Sequence, residues 1–202
     1  MIFQIVSGDC RSFWEDVVSH PLSCTRTAAV LLALCAASVP AAASEIAACT
    51  LSAWSNDTDT NGLNIRAGAG SDTAIIGQIP VGGEVSITGE KDGWFRIDHA
   101  VLIDYETDDT TDVFAGEGWV SGRMLGLVLH DDLHAAPSDD SPVVARLFHE
   151  DANGNVSGAD SFGVTSLLTC QGDWVEVEGT FFGTPLTGWA TRTCSNQVTT
   201  CS

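Results

Sequence analysis

Apolar and polar residues alternate at every second position in short segments of the chain beyond residue 48. The alternation is clearest in residues 84–88, 94–97 and 174–177, and a period of two is typical of a half-buried β-strand. Glycine-rich turns separate these segments, and no segment after residue 44 keeps a helical period. The pattern therefore predicts short strands spaced by about 10 residues, as in a small barrel or sandwich.

The predicted strands occur in two copies. Residues 63–79 align without a gap with residues 131–147, at an offset of 68. Each copy continues with a Gly/Asp turn into a tryptophan and then with a Gly-Trp strand, so that the repeated tryptophans are Trp94, Trp119, Trp174 and Trp189. Because each copy has its own strands and turns, the repeat predicts two small domains, at residues 49–127 and 128–202.

Each copy has one insertion, and the two insertions occupy different positions. Residues 98–115 interrupt copy one after its first repeated tryptophan, whereas residues 148–163 interrupt copy two before its strand at Val164. Insertions at different positions indicate loops on a shared scaffold, and loops often carry binding specificity.

Residues 1–43 have the pattern of a cleaved secretory signal peptide. Arg26 precedes an apolar run at residues 28–39, and a row of alanines follows it. The run is shorter than the roughly 20 residues of a membrane span, so no transmembrane span is expected in the mature chain. Two alternatives stay open: a start codon downstream of residues 1–16, which are unusually acidic for a signal, and the less favoured lipid anchor at Cys49.

The composition is strongly acidic. The formal net charge is -19, with 27 Asp and Glu against 8 Lys and Arg. Such a chain repels nucleic acid and anionic membrane surfaces, so neither is expected as a partner. Two interpretations of the charge stay open: a well-solvated secreted protein, which is favoured, or an affinity for cations and basic peptides.

Four cysteines remain beyond the predicted signal peptide, namely Cys49, Cys170, Cys194 and Cys201. An even number in an exported chain implies disulfides, and three pairings are open. Their spacing is not that of a zinc site, so a metal bound by thiolates is not expected.

The order of the motifs resembles that of the bacterial SH3 (SH3b) family. Copy one has the motifs Gly62-Leu63-Asn64-Ile65-Arg66, Ile76-Gly77-Gln78-Ile79, Gly83-Glu84-Val85, Gly93-Trp94-Phe95-Arg96-Ile97 and Gly118-Trp119-Val120. Copy two keeps both tryptophan motifs and Pro137-Ser138, but it has Asp132-Leu133-His134 where copy one has Asn-x-Arg. The resemblance implies an all-β chain with two tandem small SH3-like barrels after the signal segment.

The resemblance also implies a function. It suggests an exported, non-catalytic protein of the bacterial periplasm or cell envelope that recognises peptidoglycan or its stem peptides, without a cofactor. The alternative is a protein–protein interaction, inhibitor or accessory module with a basic partner, because the acidic charge fits poorly with a polyanionic wall. The sequence has no GxSxG, HExxH or phosphate-loop motif, so an enzyme is not expected.

Four side chains are candidates for ligand contact. Trp54 lies outside the repeated motifs among polar residues, where it is either exposed for stacking on a ligand or a plug at a strand edge. Asn64 and Arg66 belong to the Asn-x-Arg motif, and Arg66 is expected to hold a local turn or a carboxylate. Tyr105 lies in the acidic insertion of copy one. The four repeated tryptophans are expected to pack within the barrels.

The same insertion contains a candidate calcium site. Its carboxylates are Asp104, Glu106, Asp108, Asp109 and Asp112, and such oxygen ligands could coordinate Ca²⁺ and stabilise the fold. Acidic loops are usually only solvated, so the interpretation without a metal is favoured.

The predicted strands of copy two suggest one pattern of disulfides. If its last three strands form a meander, the first and third of them run in the same direction. Cys170 and Cys194 then lie at one end of the sheet and can meet if the chain curls back after Arg192, which predicts a Cys170–Cys194 disulfide. Cys49 is left to pair with Cys201, which ties the two ends of the mature chain together.

Overall fold

The computed structural model describes residues 45–195 of the chain. These residues belong to one compact unit. The predicted signal peptide, the alternative start codon and Cys201 lie outside the described residues.

Nearly all regular structure in the described residues is β-sheet. The strands are β1 (Ala47–Ser55), β2 (Leu63–Arg66), β3 (Ile75–Ile79), β4 (Glu84–Lys91), β5 (Trp94–Asp104), β6 (Asp109–Ser121), β7 (Leu125–Gly126), β8 (Val128–Leu129), β9 (Leu133–His134), β10 (Val143–Ala145), β11 (His149–Glu150), β12 (Val156–Ser157), β13 (Gly163–Gln171), β14 (Trp174–Phe181), β15 (Thr184–Ala190) and β16 (Thr193–Cys194). Short 3₁₀ turns occur at Gly122–Met124 and Ala159–Ser161. The all-β prediction is confirmed.

The strands form two main antiparallel sheets with related topology. The first sheet has the order β3-β2-β6-β5-β4-β1-β7, and the second has the order β10-β9-β15-β14-β13. The second sheet thus repeats the order of the first five strands of the first sheet. Two small ladders, β11-β12 and β16-β8, complete the structure.

The strand registers of the two sheets also correspond residue by residue. Equivalent cross-strand pairs are Arg66–Ile75 and His134–Val143, Arg66–Trp119 and His134–Trp189, and Arg96–Trp119 and Glu176–Trp189. The offset of 68 in the sequence is therefore also the offset between β2 and β9. A slip of one residue would turn every side chain to the other face, so conserved register places the same positions in the core of each sheet.

One continuous hydrophobic core lies inside the two sheets. Alternate residues supply it: Phe95 and Ile97 of β5 are completely buried, and Val175 and Val177 of β14 occupy the equivalent positions. Burial of each such side chain contributes about 1.5–3 kcal/mol. Because the core continues across both copies, each sheet gains packing that a domain of about 75 residues lacks alone.

A buried carboxylate connects the two sheets. Glu90, near the end of β4, is only 6% exposed. One of its oxygens accepts a hydrogen bond from the Gly93 amide at 2.7 Å, and the other accepts one from the Thr169 hydroxyl of β13 at 2.8 Å. A buried charge is costly unless its hydrogen bonds are satisfied. The Thr169 hydroxyl of copy two therefore supplies a hydrogen bond that the buried Glu90 carboxylate of copy one needs.

The N-terminal end of β1 also reaches copy two. The Thr50 amide donates to the Gly172 carbonyl at 2.7 Å, and the Gly172 amide donates back to the Ala48 carbonyl at 2.9 Å. This pairing brings Cys49 beside Cys170, and the two form a disulfide with their Cα atoms 5.9 Å apart.

The predicted disulfide pairings, Cys170–Cys194 and Cys49–Cys201, are therefore wrong. The prediction assumed that the chain after Arg192 curls back towards the end of β13. In the structure β13 lies at the outer edge of its sheet, with β14 between it and β15. The chain beyond β15 leaves this sheet, because β16 pairs with β8. Cys194 is disulfide-bonded as well.

Candidate ligand-binding face and its surroundings

The outer face of the first sheet collects aromatic and basic side chains. Successive side chains point to opposite sides of a strand, so Phe95 enters the core while its neighbours Trp94 and Arg96 lie on the outer side. Arg66 and Arg96 both pair with Trp119 across the sheet, which places them on that side together. Arg66, Trp94, Arg96 and Trp119 are called the Arg–Trp face below.

Arg66 is held in place by its own loop and by a tryptophan. One of its Nη atoms donates a hydrogen bond to the Thr73 carbonyl at 2.7 Å. Its guanidinium carbon lies 5.9 Å from the centre of the Trp94 ring, within the range of a cation–π interaction. The second Nη and the Nε of Arg66 have no hydrogen-bond partner among residues 45–195.

Arg96 is anchored along β4. Its Nε donates to the Thr88 hydroxyl at 3.1 Å, and one Nη donates to the Thr88 carbonyl at 3.3 Å. The other Nη lies 3.9 Å from a Glu117 carboxylate oxygen. Glu117 is exposed, so this long ion pair contributes little, and a ligand can displace it at small cost.

The remaining residues of the face have supporting roles. Trp119 is 5% exposed and fills the space between the two arginines, whereas Trp94 is half-buried. Asn64 precedes Arg66 on the same side of β2, and its Oδ1 accepts a hydrogen bond from the side-chain amide of Gln78 at 3.2 Å. The face thus combines a partly exposed indole with guanidinium donors, a set that binds carboxylates and stacks on flat or apolar ligand surfaces.

Copy two has different chemistry at the equivalent positions. His134 takes the place of Arg66: its Nδ1 donates to the Ser141 carbonyl at 3.1 Å, and its ring meets the Trp174 ring edge-on at 5.3 Å between centroids. Glu176 takes the place of Arg96. Trp174 and Trp189 are half-buried beside His134, and the two positions equivalent to Arg66 and Arg96 carry no guanidinium.

Trp54 and Tyr105 lie apart from Asn64 and Arg66, around Glu84 of β4. Trp54 is opposite Glu84 in the ladder, and it is half-buried against the core. Its indole covers Gly126, where an added Cβ would come within 2.5 Å of the ring. The Tyr105 hydroxyl donates to one Glu84 oxygen, and the Ser195 hydroxyl donates to the other. Trp54 therefore has the position of a plug at the sheet edge.

A cleft that sequence reasoning missed lies beside this cluster. Its volume is about 580 Å³, and it lies between residues 49–52 of β1, residues 86–88 of β4 and residues 192–195. Hydroxyl groups of Ser52, Ser86 and other serines and threonines line much of it. Segments that are distant in sequence form the cleft, so no local motif signals it.

The acidic insertion of copy one forms the outer half of the long β5–β6 hairpin, including its tip. An Asp104 oxygen accepts a hydrogen bond from the Glu106 backbone amide at 2.9 Å, and an Asp109 oxygen accepts one from the Thr107 hydroxyl at 3.0 Å. Asp112 lies 3.0 Å from a His99 ring nitrogen, away from the tip. Within residues 45–195, no three His, Cys, Asp or Glu side chains come together as metal ligands do. The five candidate carboxylates, Asp108 included, are therefore not gathered into one site.

Comparison with known proteins identifies the segment that carries the Arg–Trp face. The family model described as Bacterial SH3 domain matches residues 61–126. Residues 61–126 are a bacterial SH3 domain. The match runs from just before β2 to the end of β7, so the SH3 domain contains the whole Arg–Trp face. The prediction of an SH3-like fold is confirmed for this segment, whereas the second SH3-like barrel stays a prediction.

Strand β1 lies outside the matched SH3 segment, although it pairs with β4 and β7 of that domain. No curated protein and no solved structure matches the chain. In the described part of the chain, no helix has the length and apolar character needed to cross a membrane.

Proposed function

We propose that the protein is an exported, non-catalytic binding protein whose SH3 domain recognises peptidoglycan or its stem peptides in the cell envelope. The observation that carries the proposal is the Arg66–Trp94 pair, in which a guanidinium with unused donors lies over a half-buried indole. The Cys49–Cys170 disulfide supports export, because such bonds persist in oxidising compartments.

The chemistry of the face suits a stem peptide. Stem peptides carry free carboxylates, and a guanidinium binds a carboxylate with two parallel hydrogen bonds. Alanine methyl groups and sugar rings offer apolar surfaces that can cover the exposed edge of Trp94. Arg96 supplies a second cation on the same face, since its contact with Glu117 is long and exposed.

The local charge of the face answers the objection that an acidic protein should avoid an anionic wall. The chain has only eight basic residues, and two of them, Arg66 and Arg96, flank Trp119 on this face. Long-range repulsion is screened within about 8 Å at physiological salt. Short hydrogen bonds at the face are therefore expected to persist at salt concentrations that suppress the overall repulsion.

Residues from 128 onward are proposed to form a second SH3-like module with a supporting role. Its strand order and registers repeat those of the SH3 domain, which supports this assignment. His134 and Glu176 replace both arginines, so it is not expected to bind the same carboxylates. Its contacts with copy one include the hydrogen bond from Thr169 to Glu90 of the SH3 domain and the disulfide to β1.

A co-sedimentation assay on purified peptidoglycan tests the proposal. Arg66→Lys keeps the charge but loses the planar pair of donors, and we expect it to reduce retention by at least fivefold. Arg123→Gln is the matched control, because Arg123 is an exposed arginine of the same domain outside the face. Equal retention of the wild type, Arg66→Lys and Arg123→Gln would exclude the Arg–Trp face as the binding site, and no retention of the wild type would exclude the function.

A further inference from the structure

The polar cleft between β1, β4 and residues 192–195 adjoins the Arg–Trp face. Its volume of about 580 Å³ is in the range of small-ligand sites. Thr88 connects the two features, because it lines the cleft and its hydroxyl accepts the hydrogen bond from Arg96 Nε at 3.1 Å. The cleft therefore continues the outer side of the first sheet from the point where Arg96 is anchored.

A β-bulge of β5 lies at the cleft and carries a carboxylate. Alternate residues of a regular strand are buried, yet Ile97 and Ala100 of β5 are both buried. The pairing with β4 and with β6 is interrupted between Ile97 and His99, which leaves Asp98 outside both ladders. Asp98 is exposed and lines the cleft. Bulges of this kind are frequent next to active sites, so the irregularity itself directs attention to Asp98.

The charges that line the cleft are negative and unpaired. Asp98 and Asp173 belong to different copies, and neither carboxylate has a hydrogen-bond or ion-pair partner in the described part of the chain. Arg192 also lines the cleft, but its Nε and one Nη donate to the two carboxylate oxygens of Asp131. The residues that follow, 196–202, contain no Lys or Arg. A cleft with this charge attracts a cation.

Hydroxyl groups of the lining define the class of cation. Ser52 and Ser86 are opposite each other in the β1–β4 ladder, and both line the cleft. An ammonium group has three donors and no acceptor, so one carboxylate and two hydroxyl oxygens can satisfy it. A divalent metal needs several oxygen ligands, and among the described residues no three His, Cys, Asp or Glu side chains gather in that way. The lining therefore suits a primary ammonium group better than a metal ion.

We propose that the cleft binds the primary ammonium group of a ligand whose carboxylate contacts Arg96. Asp98 balances the charge of the ammonium, and the hydroxyls of Ser52 and Ser86 accept its remaining hydrogen bonds. In a stem peptide this ammonium belongs to the side chain of the diamino acid. The inference rests on the proposed function for the identity of the ligand. It extends the site beyond the matched SH3 segment, because Ser52 belongs to β1.

An NMR titration of the mature protein with three soluble probes tests the inference. The first probe is N-acetyl-L-Ala-γ-D-Glu-L-Lys, whose only cation is the lysine ammonium, and the second is the same peptide acetylated at Nε. The third, N-acetyl-L-lysine methylamide, carries the ammonium without a carboxylate. Asp98→Asn removes the charge and keeps the shape. Asp108→Asn is the matched control, because Asp108 is an exposed carboxylate of the same domain outside the cleft.

We expect the wild type to bind the ammonium peptide about fivefold more tightly than its acetylated form, since a partly exposed ion pair contributes modestly. Asp98→Asn should remove this preference without a change in Tm or in affinity for the acetylated peptide, whereas Asp108→Asn should behave as the wild type does. Equal binding of the two peptides by the wild type, or an Asp98→Asn variant that keeps the preference, would overturn the inference.

Arg66→Lys and the third probe separate the failure of this inference from the failure of the proposed function. Arg66→Lys should weaken both peptides equally, so that the preference for the ammonium stays. If neither peptide binds, the proposed function fails, and the ammonium site stands only if N-acetyl-L-lysine methylamide shifts the backbone amide signals of Ser86 and Asp98 in the wild type. Absence of these shifts would overturn both ideas, and shifts that chitotetraose causes instead would overturn the inference in favour of a glycan site.

Discussion

The hydrogen bond between Thr169 and Glu90 allows a direct test of the contact between the two sheets. Thr169→Val removes the hydroxyl with little change in shape, so one oxygen of a carboxylate that is 6% exposed loses its partner. A hydrogen bond to a charged group contributes about 1.5–3 kcal/mol, and a buried group left unpaired costs a similar amount. We therefore expect the free energy of unfolding to fall by about 2 kcal/mol, or roughly 4–8 °C in Tm for a chain of this size.

Urea unfolding followed by tryptophan fluorescence measures the change, and Thr165→Val is the matched control. Thr165 lies on the same strand, but its hydroxyl donates to the Glu178 carbonyl in an exposed setting, so its replacement should change the free energy by less than about 0.5 kcal/mol. A double-mutant cycle with Glu90→Gln isolates the pairwise energy. If Thr169→Val and Thr165→Val were equally stable, or if the cycle gave no coupling, the role assigned to this contact would be refuted.

Three further predictions concern the disulfide that joins β1 to β13, a buried glycine of β6 and the acidic turn between β11 and β12. Removal of the Cys49–Cys170 disulfide by double substitution to alanine should lower the free energy of unfolding by about 2–5 kcal/mol, and a peptide map that lacks this pair would contradict the structure. Gly118→Ala should cost about 1–3 kcal/mol in thermal or urea unfolding, because its Cβ would come 2.3 Å from a core isoleucine methyl; wild-type stability would count against the packing described. In the β11–β12 turn, the side-chain amide of Asn155 is the main cause that lowers the pKa of Asp151 below its ordinary value of 3.8. The stabilisation of this turn is therefore complete above the ordinary pKa and is lost as the pH falls through the folded-state pKa. The Asn155 amide signal in NMR should titrate with a midpoint below 3.8, and a midpoint at or above that value would contradict the turn geometry.

The strands and their faces could be predicted from the sequence because a period of two is a local property. The offset of 68 that aligns Arg66 with His134 in the sequence also aligns their ladders in the structure. The expectation that Arg66 holds a local turn corresponds to its hydrogen bond with Thr73. Such features can be predicted because they depend only on residues that are close in sequence or on a fixed strand register.

The long-range contacts could not be predicted in this way. Cys49 meets Cys170 because β1 joins the first sheet beside β4 and then reaches the turn after β13. No local pattern encodes that approach, so pairs inferred from the β13-β14-β15 meander alone were wrong, although the meander itself is present. The stacking of Phe182 on His149 escaped notice for the same reason, since the insertion of copy two meets the β14–β15 turn only in the folded chain.

The most direct test of the central claim is an NMR titration of the mature protein with soluble peptidoglycan fragments. Observation of arginine Nε–H and tryptophan Nε1–H signals reports on the Arg–Trp face without a substitution. We expect the Arg66 and Trp94 side-chain signals to shift first and furthest, while those of Trp54 and Trp174 stay unchanged. Shifts confined to residues outside the Arg–Trp face, or no shifts at saturating fragment, would contradict it.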